Sequence, residues 1–220
     1  LAYSLLHAAF RRAVRSKRLQ DNPVEAIDKP AHMTQEGRAI EGDDWQRLAA
    51  VISGDVAFAL ACFAGLRRGE VLGLRRGDID LDAGLIRVER QRVRVGGQLV
   101  TAPPKSSAGV RIVPISPELA PILCKAVRNL LPAAYLVPIS PETLGRRWST
   151  AQKATGIKTP YRFHDLRHTY ATRLVLEGIN LRVLQYVIGH ADYQLTVSTY
   201  THIGATAAKI ELSRVYNSLH

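Results

Sequence analysis

Every strand-like run in this chain falls between residues 85 and 115, and helical patterning flanks that stretch on both sides. Leu85-Ile86-Arg87-Val88 and Arg92-Val93-Arg94-Val95 are rich in β-branched residues and bounded by turn signals. Gly96-Gly97 then reads as a hairpin turn, because glycine accepts the positive φ such turns require. Gln98 to Thr101 would return, and Arg111-Ile112-Val113-Pro114-Ile115 follows. So few strands, so close together, can build only one small antiparallel sheet. The expected fold class is mostly α with a small antiparallel β-sheet, an α+β arrangement.

The helical flanks divide in turn. Residues 1 to about 20 carry Leu5, Leu6, Ala9, Ala13 and Val14 near one face, and Asp21-Asn22-Pro23 breaks the pattern. Pro30, Gly37 and Gly42 among polar neighbours mark a linker over residues 29–42. A lone helix before a linker cannot bury its apolar face, so residues 1–28 are expected to belong to an upstream domain. The absence of an initiator Met points the same way. Residues 43–220 then form the main domain. Asp43 or Asp44 is expected to cap its first helix, and a second helix spans about Asp55 to Leu66. Ser116-Pro117 and Ser140-Pro141 each read as a cap followed by a first-turn proline. From His164 onward the pattern is helical, interrupted at Gly178, Gly189 and Gly204, and residues 205–219 read as an amphipathic helix.

Charge narrows the partner. Thirty Lys and Arg face nineteen Asp and Glu, a formal +11, with a pI near 10.0. That excess suits a polyanion: nucleic acid first, an acidic membrane surface second. A basic protein without such a partner is the plain alternative. No apolar run is long enough to span a membrane, and no signal peptide is legible. Cys62 and Cys124 sit in apolar stretches without a CxxC pattern, and read as small buried hydrophobes in a reducing cytoplasm.

The densest local signal is His164-Asp165-Leu166-Arg167-His168-Thr169. On a helix, Leu166, Tyr170 and Leu174 form an apolar stripe, and His164 and Arg167 share the adjoining face. An imidazole beside a guanidinium fork suits a phosphate. Two other readings fit the hexapeptide alone. His164 and His168 have a spacing zinc ligands use, and His164-Asp165 looks like the adjacent pair of metal phosphohydrolases. Neither has clear supporting ligands nearby.

Other segments decide between them. Ala64-Gly65-Leu66-Arg67-Arg68-Gly69-Glu70 lies upstream; Ile188-Gly189-His190 and Thr199-Tyr200-Thr201-His202 lie downstream. This set, in this order, resembles the tyrosine recombinase, or phage integrase, family. That family has an Arg in a Gly-Leu-Arg-x-x-Glu motif, a Lys on a β-hairpin, a His-x-Leu-Arg-His, a Gly-His and a Tyr near the C-terminus. The resemblance covers roughly residues 40 to 218.

The resemblance implies catalytic roles for Arg67, Lys105, His164, Arg167, His190 and Tyr200, with Glu70 supporting. Tyr200 is preferred among eight tyrosines because it lies ten residues after His190 and opens Tyr-Thr-His. Lys105 is the only lysine between Lys29 and Lys125. Arg68 reads as a DNA-facing charge, His168 as structural. Gly109-Val110 depart from the basic run that often follows the family's lysine. Residues 1–28 become the last helix of a truncated core DNA-binding domain, whose Arg11, Arg12 and Arg15 could line the duplex.

The implied activity is site-specific recombination of double-stranded DNA through a 3′-phosphotyrosine, with neither metal nor cofactor. The protein is expected to be cytoplasmic, bacterial or phage-encoded, monomeric in solution and tetrameric on paired sites. Directionality factors are common in the family. Type IB topoisomerase chemistry and a non-catalytic DNA-binding module are the alternatives.

Overall fold

The computed structural model describes residues 2–28, 37–194, 196, 197 and 200. Residues 29–36 of the expected linker, Gly204 and the expected helix over 205–219 lie outside them. The chain divides into two compact units, Leu1–Glu36 and Gly37–His220.

In the first unit, α1 (Ala2–Arg15) ends earlier than expected. The chain turns at Lys17, whose φ is 57°. Residues beyond the turn fold back along the helix. Asn22 Nδ2 donates to His7 O at 3.4 Å, and the Tyr3 hydroxyl donates to Ile27 O at 3.3 Å. Val24 is buried, but Leu5 and Leu6 remain exposed.

The second unit is organised by α3 (Val56–Phe63), which is apolar all round and therefore central. It packs against α2 (Gly42–Gly54), α4 (Arg68–Gly73), α5 (Ala120–Ala126) and α7 (Phe163–Leu176). Asp55 caps α3, accepting from Ala57 N at 2.9 Å. Phe58 on α3 meets Trp148 of α6 (Pro141–Ala154), ring centroids 5.0 Å apart. The polar groups in this core are satisfied: Trp148 Nε1 donates to Tyr161 O at 2.9 Å, and Gln152 Oε1 accepts from Tyr161 N at 2.6 Å. A second apolar cluster joins α7 to α8 (Leu181–Ile188) through Ala171, Val175, Leu184, Val187 and Ile188.

The strands form two antiparallel sheets among the described residues, not one. β1 (Ile79–Asp80), β2 (Leu85–Val88) and β5 (Arg111–Pro114) lie in the order β1-β2-β5. β3 (Gln91–Val95) and β4 (Gln98–Ala102) make a separate hairpin. Its register, Val95 opposite Gln98, leaves Gly96-Gly97 as the turn.

Several local expectations shift. Glu41, not Asp43 or Asp44, is the cap residue of α2, and Asp44 instead accepts from the Tyr161 hydroxyl at 2.8 Å. Ser116 closes a turn onto Leu119, so α5 starts at Ala120, three residues beyond Pro117. Ser140 caps α6 as expected. Cys62 is buried but Cys124 is exposed.

Leu166 on α7 is 0% exposed. Leu166→Ala should cost about 2–5 kcal/mol, since the cavity it leaves cannot fully collapse. Urea unfolding of the variant against the wild type measures this; a loss under about 1 kcal/mol would mean the α3–α7 contact is looser than described.

Candidate active site

The site grows from one buried carboxylate. Gly65 adopts a left-handed φ of 64°, where a Cβ would lie 2.5 Å from the Tyr170 ring, and this turn delivers Arg67 to the start of α4. Glu70, in the first turn, accepts from Arg67 N at 2.9 Å. Its other oxygen meets Arg67 Nη1 at 2.7 Å. From β5, Arg111 closes the opposite side: Nη1 reaches Oε1 at 3.1 Å and Nη2 reaches Oε2 at 3.0 Å. Glu70 is 2% exposed and Arg111 3%. Burying both charges is tolerable only because the pairing is bidentate and the remaining donors are satisfied. Burial alone would raise the Glu70 pKa, but Arg111, then Arg67 and Arg167, outweigh it and hold the carboxylate below its usual range.

The last carbonyls of a helix have no partner within it. At the end of α8, three arginines supply donors. Arg111 Nε donates to Val187 O at 2.7 Å, Arg167 Nη2 to Ile188 O, and Arg67 Nη2 to Gly189 O at 2.5 Å. Arg167, 3% exposed on α7, also donates from Nη1 to Gly65 O at 2.5 Å. Burial, then the Arg67 charge, push its pKa down to about 9, which leaves it cationic at neutral pH. Gly189 takes a left-handed φ of 67° to end the helix.

That turn presents His190, whose Nδ1 lies 3.0 Å from the Thr196 hydroxyl. Burial, then Arg167 and Arg67, lower its pKa to about 3. His164, in the first turn of α7, falls to about 4 through burial and then Arg167. Its side chain stands exposed at the rim, so solvent tempers the burial contribution, while Arg167 pushes the same way. Both imidazoles are neutral at physiological pH.

Tyr200 is 4% exposed and packs into the α7–α8 cluster, its ring centroid 5.7 Å from that of His168. Burial raises its pKa to about 12, with Arg167 acting against the shift.

The structure thus joins Arg67, Glu70 and Arg167 in one network with the α8 end that carries His190, and places His164 in the first turn of α7 and Tyr200 against the α7–α8 cluster. Lys105 lies exposed in the β4–β5 connection, just past the hairpin rather than on it. Arg68 is exposed beside Arg67. Arg11, Arg12 and Arg15 are exposed on α1, in the other unit. Arg111 was not among the expected site residues. Its one signal was phase: on β5 residues 111 and 113 point inward together, so a strand pattern that buries Val113 also buries Arg111. Among the described residues no three His, Cys, Asp or Glu side chains converge as a metal would require, and no helix is long and apolar enough to cross a membrane.

The phage integrase family model matches residues 45–206. The chain belongs to that family. It is 28% identical over 211 residues to a tyrosine recombinase of Thermosipho africanus, covering 91% of this chain and 69% of that protein. A putative prophage phiRv2 integrase of Mycobacterium tuberculosis is 32% identical over 204 residues, covering 86% of this chain and 54% of the relative. Among solved structures, the Tn1549 transposon integrase in complex with circular intermediate DNA superposes with a TM-score of 0.75 at 25% identity, over 97% of this chain and 78% of that one. A lambda integrase dimer bound to a core site gives 0.60 at 24% identity, over 88% of this chain and 71% of that one, a likeness of fold. The family's fold, mostly helical with small antiparallel sheets, is the one described above.

His190 carries a pH signature. Its pKa is near 6.5 when unfolded and about 3 when folded. Between those values the unfolded chain holds more protons, so stability is present above about pH 6.5 and drains away as pH falls toward 3. The melting temperature should therefore drop from pH 7 to pH 5, and by less in His190→Asn; an equal drop in both would show that His190 is not the group responsible.

Proposed function

We propose that the chain is the catalytic part of a site-specific DNA recombinase that cuts and rejoins strands through a 3′-phosphotyrosine, without metal or ATP. The observation that carries this reading is the convergence of Arg67 and Arg167 with the His190-bearing end of α8, around Glu70 and beside Tyr200. As a pentavalent phosphorus forms, charge grows on its non-bridging oxygens. Two fixed guanidiniums and the His190 imidazole would stabilise that charge, and being pre-placed they need no reorganisation.

Tyr200 is the proposed nucleophile. With a pKa raised to about 12 it cannot ionise unaided. His164 is neutral and so free to accept the phenolic proton. The Tyr200 oxygen forms a bond to phosphorus, the bond to the 5′ oxygen breaks, and Lys105 protonates that leaving oxygen. A 5′ hydroxyl from a partner duplex then attacks the phosphotyrosine and releases the enzyme. The energy stays in the ester throughout. Tyr200 is packed in an apolar cluster, so DNA engagement must bring its hydroxyl to the phosphate.

The proposed partner is a double-stranded attachment site in a bacterial cytoplasm. A tetramer would assemble on paired sites from subunits monomeric in solution, with a directionality factor as a further partner. Residues 1–28 would be the last helix of a DNA-clamping domain, 29–42 its linker and 43–220 the catalytic domain. Arg68 and the exposed Arg11, Arg12 and Arg15 would follow the backbone, giving affinity and register rather than sequence.

Covalent trapping tests the chemistry. In EDTA, on a nicked duplex carrying the attachment site, the wild type should yield a protein–DNA adduct on a denaturing gel and Tyr200→Phe none. Resealing without strand exchange would favour type IB topoisomerase chemistry. Tight binding without any adduct would favour a DNA-binding module. An adduct surviving Tyr200→Phe would move the nucleophile elsewhere. Replacing Arg11, Arg12 and Arg15 by Gln should flatten the dependence of log K on log salt by about 0.9 per lost phosphate contact, and an unchanged slope would take α1 off the duplex.

A further inference from the structure

The geometry points to Arg111 as a positioning residue for this chemistry: it aims Arg67 through Glu70 and ties the Lys105 loop to the end of α8. The inference rests on the functional reading above. The Arg111 side chain is 0% exposed and all three of its nitrogens are held by protein acceptors, so it acts through other groups rather than on a DNA phosphate. Each of its three nitrogens is committed. Nη1 and Nη2 hold both oxygens of Glu70, which in turn receives Arg67 through backbone and side chain. Nε holds Val187 O, two residues before the carbonyl that Arg67 itself grips at Gly189. Arg67 is thereby referenced to Arg111 from two directions, α4 and α8.

The third attachment is the loop. Arg111 Nη1 also donates to Gly109 O at 3.1 Å. Gly109 belongs to the tight turn that follows Lys105, in which Gly109 N donates to Ser106 O at 2.9 Å and Val110 N to Ser107 O at 3.0 Å. The same turn lies hard against the end of α8. A Cβ on Gly189 would come within 2.9 Å of Ala108 O and 3.1 Å of Arg111 Nη1. One guanidinium therefore fixes the spacing between the proposed general acid's loop, the proposed transition-state donor and the helix end bearing His190. A lysine cannot replace it: one ammonium has no planar fork with which to span three elements.

The test uses the full chain with Arg111→Lys, Arg111→Met and the charge-balanced Glu70→Gln/Arg111→Met pair, which removes one charge of each sign and so leaves the net charge of the cluster unchanged. Four quantities are read: the single-turnover rate of adduct formation on the nicked duplex, the duplex Kd, the melting temperature, and amide exchange at Gly109 and Val110. Both single variants should slow adduct formation about 10- to 100-fold, the usual scale for losing an orienting partner, with Kd near wild type. The balanced pair should recover melting temperature but not rate. A sulfur at the scissile 5′ position, which departs without a proton, should restore part of the rate lost in Arg111→Met. Exchange at Gly109 and Val110 should quicken in Arg111→Met.

Recovery of rate along with stability in the balanced pair would reduce Arg111 to a structural residue, and wild-type rates in Arg111→Lys would do the same. Unchanged exchange would remove the loop tether. Failure of the wild type to form any adduct would overturn the recombinase reading, and exchange at the two amides would still report whether Arg111 holds the loop.

Discussion

Three consecutive carbonyls at the end of α8 are taken by three arginines from three different elements, α4, β5 and α7. Helix C-termini carry partial negative charge, so cations gather there at low cost. What is unusual is that two of the cations, Arg111 and Arg167, are buried, and that all three share one counter-charge, Glu70. The helix end needs donors, the arginines need acceptors, and Glu70 needs both its flanking guanidiniums to stay ionised. Each requirement is met by the others. The network therefore fixes how α4, β5, α7 and α8 sit together, and the site is a by-product of how the second unit closes.

Local chemistry explains which elements were legible. The hairpin was announced by Gly96-Gly97, and α6 by Ser140-Pro141, because each signal is confined to neighbouring residues. Strand β1, which no sequence signal indicated, is two residues long, too short to carry a pattern. α4 was obscured by its glycines, and Glu70 secures its start by accepting from Arg67 N. The division of the strands into two sheets depends on long-range pairing of β2 with β5 across the intervening hairpin, which no local pattern encodes.

The site divides along the same line. Arg67, Glu70, Lys105, His164, Arg167, His190 and Tyr200 could be picked out because each lies in a recognisable motif. Arg111 lies in none. It reads as an ordinary strand residue until its phase with Val113 is followed into the core, where a guanidinium is tolerable only against Glu70. Nor could the sequence indicate that Tyr200 would be enclosed with Leu184 and Val187, since that depends on how α8 lies across α7.

The charge inventory of the cluster has a stoichiometric consequence. Arg67, Arg111 and Arg167 bring three positive charges against the single negative charge of Glu70, and the two imidazoles contribute none at neutral pH. Two positive charges are left uncompensated. A resting phosphodiester carries one negative charge; the pentacoordinate species formed by a phenolate carries two. In the proposed reaction the phenolic proton stays in the site on His164, so the total charge is conserved while negative charge gathers on phosphorus against the fixed guanidiniums, whose electrostatic preference grows as the reaction proceeds.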